Sequence, residues 1–199
     1  RSSDLKTSQH ISYIMVCYWE VFLLKIFIDA GHGGSNPGAV GPNGLKESDV
    51  NLDVALRLGR LLSSRNYEVK YSRTSNINIG LRERATLANQ WGADYFISIH
   101  CNSNINPIYK GTSTYYYRPN TVASNLALTV NNSLVSMIQT PDLGTFQANF
   151  AVLRYTIMPA ILVELAFISN PQEAALLATS SFRENCAIGI FNGIVEFTS

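Results

Sequence analysis

Two hydrophobic rhythms alternate along the 199 residues. Short apolar runs read as strands: Lys25 to Asp29, Tyr67 to Ser72, Asp94 to His100, Gly111 to Tyr117 and Ala160 to Glu164. They are rich in Ile, Val, Phe and Tyr and are bounded by glycines or polar clusters. Between them the period lengthens. Glu47 to Ser64 carries Val50, Leu52, Val54, Leu56, Leu58, Leu61 and Leu62, and with Ala55 this broad apolar face predicts a helix starting near Lys46–Ser48. Leu81 to Trp91 predicts a second helix, with Ala85, Leu87 and Ala88 inward and Arg82, Glu83 and Arg84 outward. Thr121 to Ile138 predicts a third. Asn170 to Phe197 reads as one long or broken helix with Pro171 in its first turn. Strand and helix alternate, so the predicted fold class is α/β: a single domain on a twisted, mostly parallel sheet of about six strands flanked by helices.

The first 24 residues stand outside this alternation. From Ile11 to Leu24 only Ser12 and Glu20 are clearly polar. The run is shorter than the roughly 20 apolar residues of a spanning helix, and no small-x-small cleavage site follows it. Its Val, Ile, Tyr, Trp and Phe content favours a strand-like extension over a membrane segment. Residues 1–24 are therefore read as an extension and 25–199 as the functional domain.

Composition narrows the partners. A chain of this length with 46% hydrophobic residues can bury one sizeable core. Lys and Arg number 15 against 14 Asp and Glu, a net charge of +1. Nucleic acid is disfavoured as a partner, because phosphate binding needs a concentrated positive field. Cys17, Cys101 and Cys186 are odd in number and widely spaced, so they suggest neither a disulfide framework nor a zinc finger. They read as half-buried small residues.

The chemistry sits at the ends of the strands. "IFIDA-GH", "YFISI-H" and "AILV-E" each run apolar and stop at His32, His100 or Glu164. Carboxyl ends of parallel strands share one edge of a sheet, and ligands bind outside that edge. Glu47 joins the group if its helix starts at the same rim. "GHGGSNPG" is no phosphate cradle: Asn36 stands where the third glycine of G-x-G-x-x-G belongs, and no lysine follows Gly38. Two histidines, one carboxylate and an open position form the ligand set of a hydrolytic zinc site. A second carboxylate must then move the proton. The inventory of two His and two Glu meets both needs, without saying which glutamate does which.

"DAGHGGSNPGAVGPNGLKESDVNLDVALRL", "ISIHCNS" and "LRYTIMPAILVELAFISNP" resemble the three signature blocks of zinc-dependent N-acetylmuramoyl-L-alanine amidases, amidase type 3. The resemblance runs from about Lys25 to the C-terminus. It implies that His32, Glu47 and His100 hold one Zn²⁺ per chain and that Glu164 is the catalytic base. It implies cleavage of the amide between N-acetylmuramic acid and L-alanine of peptidoglycan, in the cell wall or envelope, by a bacterial or phage-derived enzyme. Asn102 and Arg154 lie in these blocks and are candidates for substrate contact, Arg154 through a stem-peptide carboxylate. Ala166, Cys101 and Asn76 depart from the usual residues, none of them a ligand. Some relatives carry a helical plug after the Y-x-Y strand. Between Tyr117 and "FAVLR" there is room for one helix and a short loop, so no obligatory activator protein is expected, and the chain reads as a monomer. A wall-binding module on the same fold would drop ligands that are kept here. A zinc peptidase acting between stem amino acids would share the motifs.

Overall fold

The computed structural model describes residues 23–199. Along them run β1 (Lys25–Ala30), α1 (Glu47–Ser63), β2 (Glu68–Tyr71), α2 (Leu81–Trp91), β3 (Tyr95–Asn102) and β4 (Thr112–Tyr116). Then come α3 (Val122–Ile138), β5 (Asp142–Gln147), α4 (Ala151–Tyr155), β6 (Ala160–Phe167), α5 (Pro171–Leu177) and α6 (Ser180–Thr198). The strands form one sheet in the order β2-β1-β3-β6-β4-β5. β2, β1, β3 and β6 are parallel, while β4 runs antiparallel to β6 and carries β5 parallel to itself. The extension expected over residues 1–24 lies, apart from its last two residues, outside the described part.

The central strands are apolar on both sides because helices cover both faces. Ile26, Ile28, Ile97, Ile99, Ile161, Val163 and Leu165 pack beneath α1, α3 and α6. Their alternate neighbours Phe27, Phe96, Ala160 and Leu162 pack beneath α2 and α4.

Two elements were not legible in the periodicity. β5, "DLGTFQ", is a largely exposed edge strand with Gly144 at φ +87°, so no apolar alternation marks it. α4 spans five residues, too few to show a helical period. The terminal helix is broken: Asn170 caps α5 by accepting from the backbone N–H of Gln172 and Glu173, and Thr179 caps α6 by accepting from Phe182. The interval from Tyr117 to Phe150, read as one helix and a short loop, holds α3 and also β5, parts of the covering layer and the sheet.

Arg84 corrects the sequence reading. It is not outward but 2% exposed, with its guanidinium 2.7 Å from the buried Asp29 carboxylate. A helical face read as charged becomes buried when a strand-end acid waits beneath it. Cys101 and Cys186 are likewise fully buried rather than half-buried, and both are free thiols. Burial pushes both thiols up, so neither is a reactive thiolate at neutral pH. Cys17 lies outside the described residues.

Candidate active site

The carboxyl ends of β1, β3 and β6 form one rim. His100 and Glu164 are register partners on β3 and β6. The β1–β3 ladder continues past Ala30 through Gly31, whose N–H donates to Ile99 at 3.1 Å. A Cβ on Gly31 would fall 2.3 Å from the His100 ring, so only glycine lets the loop pass there.

His32 follows at φ 60°, a left-handed conformation uncommon for a non-glycine residue. It is held from below. Arg84 donates to the carbonyls of Ala30 (2.6 Å) and His32 (2.7 Å), and Arg73 donates to those of Ala30, Gly31 and Ser48 (2.8–2.9 Å). Both arginines are buried. The loop then brings Glu47 to the rim as the first residue of α1, with its N–H on the Ala39 carbonyl.

The donor atoms of His32, Glu47 and His100 lie within 4.8 Å of one another. Glu47 Oε1 is 2.9 Å from His100 Nδ1 and 3.2 Å from His32 Nε2. Bonds of about 2.0–2.1 Å in a tetrahedral site set donors about 3.3 Å apart, so these edges fit one small cation. The hydrogen bonds point the same way. Asn36 Oδ1 accepts from the Gly38 N–H, which fixes it as the oxygen, and it lies 3.1 Å from His32 Nδ1. His32 Nδ1 is therefore the donor, and the lone pair of Nε2 faces a carboxylate oxygen unless a cation or proton stands between them. The second Glu47 oxygen is held by the Ala39 N–H at 2.9 Å. Burial alone would raise the Glu47 carboxyl, but hydrogen bonds from His100 and His32 outweigh it and hold it well below the usual carboxylate range.

Glu164 is the opposite case. Burial pushes its carboxyl up to about 7; the nearby His100 draws it down and the Glu47 charge raises it further. Its Oε2 is buried with no hydrogen-bond partner. The two glutamates thus differ as a fixed anion differs from a proton carrier.

Asn102 ends β3 two residues beyond His100, past a register shift, and its Oδ1 accepts from Ser103 N–H at 2.9 Å. Arg154 is not hydrogen-bonded to the four. It lies on α4, donating to Asn149 Oδ1 and Tyr155 Oη, and lines a cavity of about 650 Å³ together with Met158 and Ala160. Ala160 begins β6, four residues before Glu164. Sequence reading missed four supporting residues. Asn51, which donates to Glu47 Oε1 and the Gly31 carbonyl, was signalled by its i+4 spacing from Glu47. Asn36, Arg73 and Arg84 had no local signal. The departure at Asn76 is accommodated, because its amide oxygen accepts from Gly34 N–H at 2.8 Å.

Two imidazoles and a carboxylate at a sheet rim, beside a second carboxylate free to carry a proton, define a hydrolase suited to a metal ion. The chain belongs to the amidase type 3 family: the pattern described as N-acetylmuramoyl-L-alanine amidase matches residues 26–196. It is 41% identical over 181 residues to the sporulation-specific N-acetylmuramoyl-L-alanine amidase of Bacillus subtilis (strain 168), covering 87% of this chain and 68% of that protein. The crystal structure of N-acetylmuramoyl-L-alanine amidase from Clostridium difficile 630 matches with a TM-score of 0.85 at 36% identity, covering 88% and 97% of the two chains. The CwlD amidase from Clostridioides difficile, solved in complex with the GerS lipoprotein, matches with a TM-score of 0.84 at 26% identity, covering 88% and 98%.

Proposed function

We propose that His32, Glu47 and His100 hold one Zn²⁺ and that Glu164 is the proton carrier for hydrolysis of the amide joining N-acetylmuramic acid to L-alanine in peptidoglycan. The observation that carries this reading is His32 Nε2 lying 3.2 Å from the Glu47 carboxylate while Nδ1 faces Asn36 Oδ1, with the half-buried Glu164 on the strand beside His100. When bound, zinc lowers the pKa of a water to about 7 and polarises the amide carbonyl. Glu164 takes the water proton on a carboxylate oxygen and returns it to the nitrogen of the departing L-alanine. The C–N bond breaks and a C–O bond forms, giving a lactyl carboxylate and a free stem-peptide amine. Asn102 would contact the substrate at the rim, and Arg154 a carboxylate farther along the stem peptide.

Peptidoglycan lies outside the cytoplasmic membrane, so the enzyme would act in the wall. Among the described residues no helix is long and apolar enough to cross a membrane. We further propose that the domain acts as a monomer without an activator; strict dependence on an added protein in a purified wall-digestion assay would refute that.

The deciding experiment is mass spectrometry of muropeptides digested with and without chelator. Release of stem peptides with a free L-alanine amine, lost on chelation and restored by zinc, is the expected result. Release of a different amine means a peptidase. Glu47→Ala should lose metal and activity together, whereas Glu164→Ala should keep the metal and lose activity. The reverse pattern exchanges the two roles.

A further inference from the structure

Nearly every buried side-chain oxygen in a folded protein finds a hydrogen-bond partner. Among the described residues two do not, Ser113 Oγ and Glu164 Oε2. They are neighbours. Ser113 on β4 stands directly opposite Glu164 on β6 in the antiparallel register, and opposed residues of such a pair share a face with Cβ atoms roughly 4.5–5.5 Å apart.

One row crosses four strands here. His100 on β3 pairs with Glu164, Glu164 with Ser113, and Ser113 with Gly144 on β5. Ser113 therefore has the glutamate on one side and a residue without a side chain on the other. Its neighbours along β4, on the opposite face, are fully engaged: Thr112 donates to the Leu165 carbonyl, and Thr114 donates to Asn131 Oδ1. Ser113 is 0% exposed, so bulk water does not satisfy its hydroxyl.

We propose that Ser113 is a positioning residue for the amidase reaction, its hydroxyl donating to Glu164 Oε2 so that the other oxygen, Oε1, is aimed at the reacting atoms. This rests on Glu164 being the proton carrier. An ionised carboxylate only accepts, and a serine hydroxyl is a free rotor. The last torsion of a glutamate is broad, so a small turn brings the two together. A carboxylate that collects a proton from water and delivers it to nitrogen must hold its direction between the two transfers. Misplacement by about 1 Å costs a reaction roughly 10²-fold.

The test uses zinc-loaded protein carrying Ser113→Ala, Ser113→Val or Ser113→Thr, assayed on purified peptidoglycan fragments. Valine and threonine have the same shape, so that pair isolates the hydroxyl. Loss of about 10- to 100-fold in kcat is expected for Ser113→Ala and Ser113→Val. KM and zinc content should not move, and Ser113→Thr should recover most of the rate. Removing the donor leaves Glu164 Oε2 buried without a partner, so Tm of Ser113→Ala should fall slightly. In a Glu164→Gln background Ser113→Ala should cost nothing more, since the two act as one unit. Full kcat in Ser113→Ala overturns the proposal, as does a raised KM at unchanged kcat or a lower Tm with kcat intact. If Glu164→Gln itself stays active, the failure belongs to the assignment of Glu164. If Glu164→Gln is inactive while Ser113→Ala is not, only the role of Ser113 fails.

Discussion

β1, β3 and β6 present different chemistry to the two sides of the sheet. Under α1, α3 and α6 their contribution is Ile26, Ile28, Ile97, Ile99, Ile161, Val163 and Leu165, a hydrocarbon layer from end to end. On the side of α2 and α4 the same strands begin with Phe27, Phe96, Ala160 and Leu162 and finish with Asp29, Ser98, His100 and Glu164. The pleat makes this possible: successive side chains point to opposite faces, so one strand serves a core and a site at once. The polar half is stabilised by pairing rather than by hydrocarbon, since Asp29 accepts from Arg84 and from Ser98, both at 2.7 Å.

The contrast can be tested, beginning with the largest effect. Glu164→Gln should lower the rate by about 10²–10⁴-fold with Tm and zinc content unchanged, because glutamine keeps the shape and an oxygen that can accept from Ser113. Metal analysis and a thermal melt alongside kinetics check it; a collapsed melt would place Glu164 in the framework instead. Arg84→Met comes next. It leaves Asp29 buried and charged without its guanidinium, at a cost of about 3–5 kcal/mol, and it frees the strained His32 carbonyl. Urea midpoints and zinc occupancy should fall together; loss of stability with zinc affinity intact would separate the loop from its support.

On the hydrocarbon side, Leu134→Ala in α3 removes a fully buried side chain and should cost about 2–5 kcal/mol. Turnover per folded molecule should stay at the wild-type value. If kcat falls as well, the two faces are coupled through the sheet.

The smallest effect belongs to a half-exposed network on the covered side. Burial opposes ionisation of Asp53, but hydrogen bonds from Arg183 and Arg57 outweigh it and lower its pKa below the ordinary value. Its stabilisation is therefore present above the unfolded carboxyl's pKa, about 4, and is lost as pH falls through the lower folded value. Arg183→Ala should cost no more than about 1 kcal/mol at neutral pH. The gap from wild type should narrow in acid and in high salt; a gap that widens in acid would contradict the sign.

The legible part of the site was local. His32, His100 and Glu164 end apolar runs, and Glu47 opens an apolar helical face, so each marks its own place. The structure gathers all four at one rim. Arg154 ends no apolar run and was a candidate only through its place in a family-like block; α4 directs its hydrogen bonds to Asn149 and Tyr155.

By itself, then, the sequence determined the α/β alternation, the central strands and the four ends that carry chemistry, because hydrophobic periodicity and chain punctuation are written over a few neighbouring residues. Only the tertiary structure decided that Arg73 and Arg84 lie buried beneath the His32 loop, that Asn36 sets the direction of His32, and that Ser113 faces Glu164. Apart from Asn36, which lies four residues from His32, those outcomes depend on partners brought together from across the chain. Arg84 meets Asp29 across 55 positions, and a buried charge is tolerable only where folding supplies the opposite charge. β5 belongs with them: an exposed edge strand has no apolar pattern of its own and is defined by the strand it pairs with.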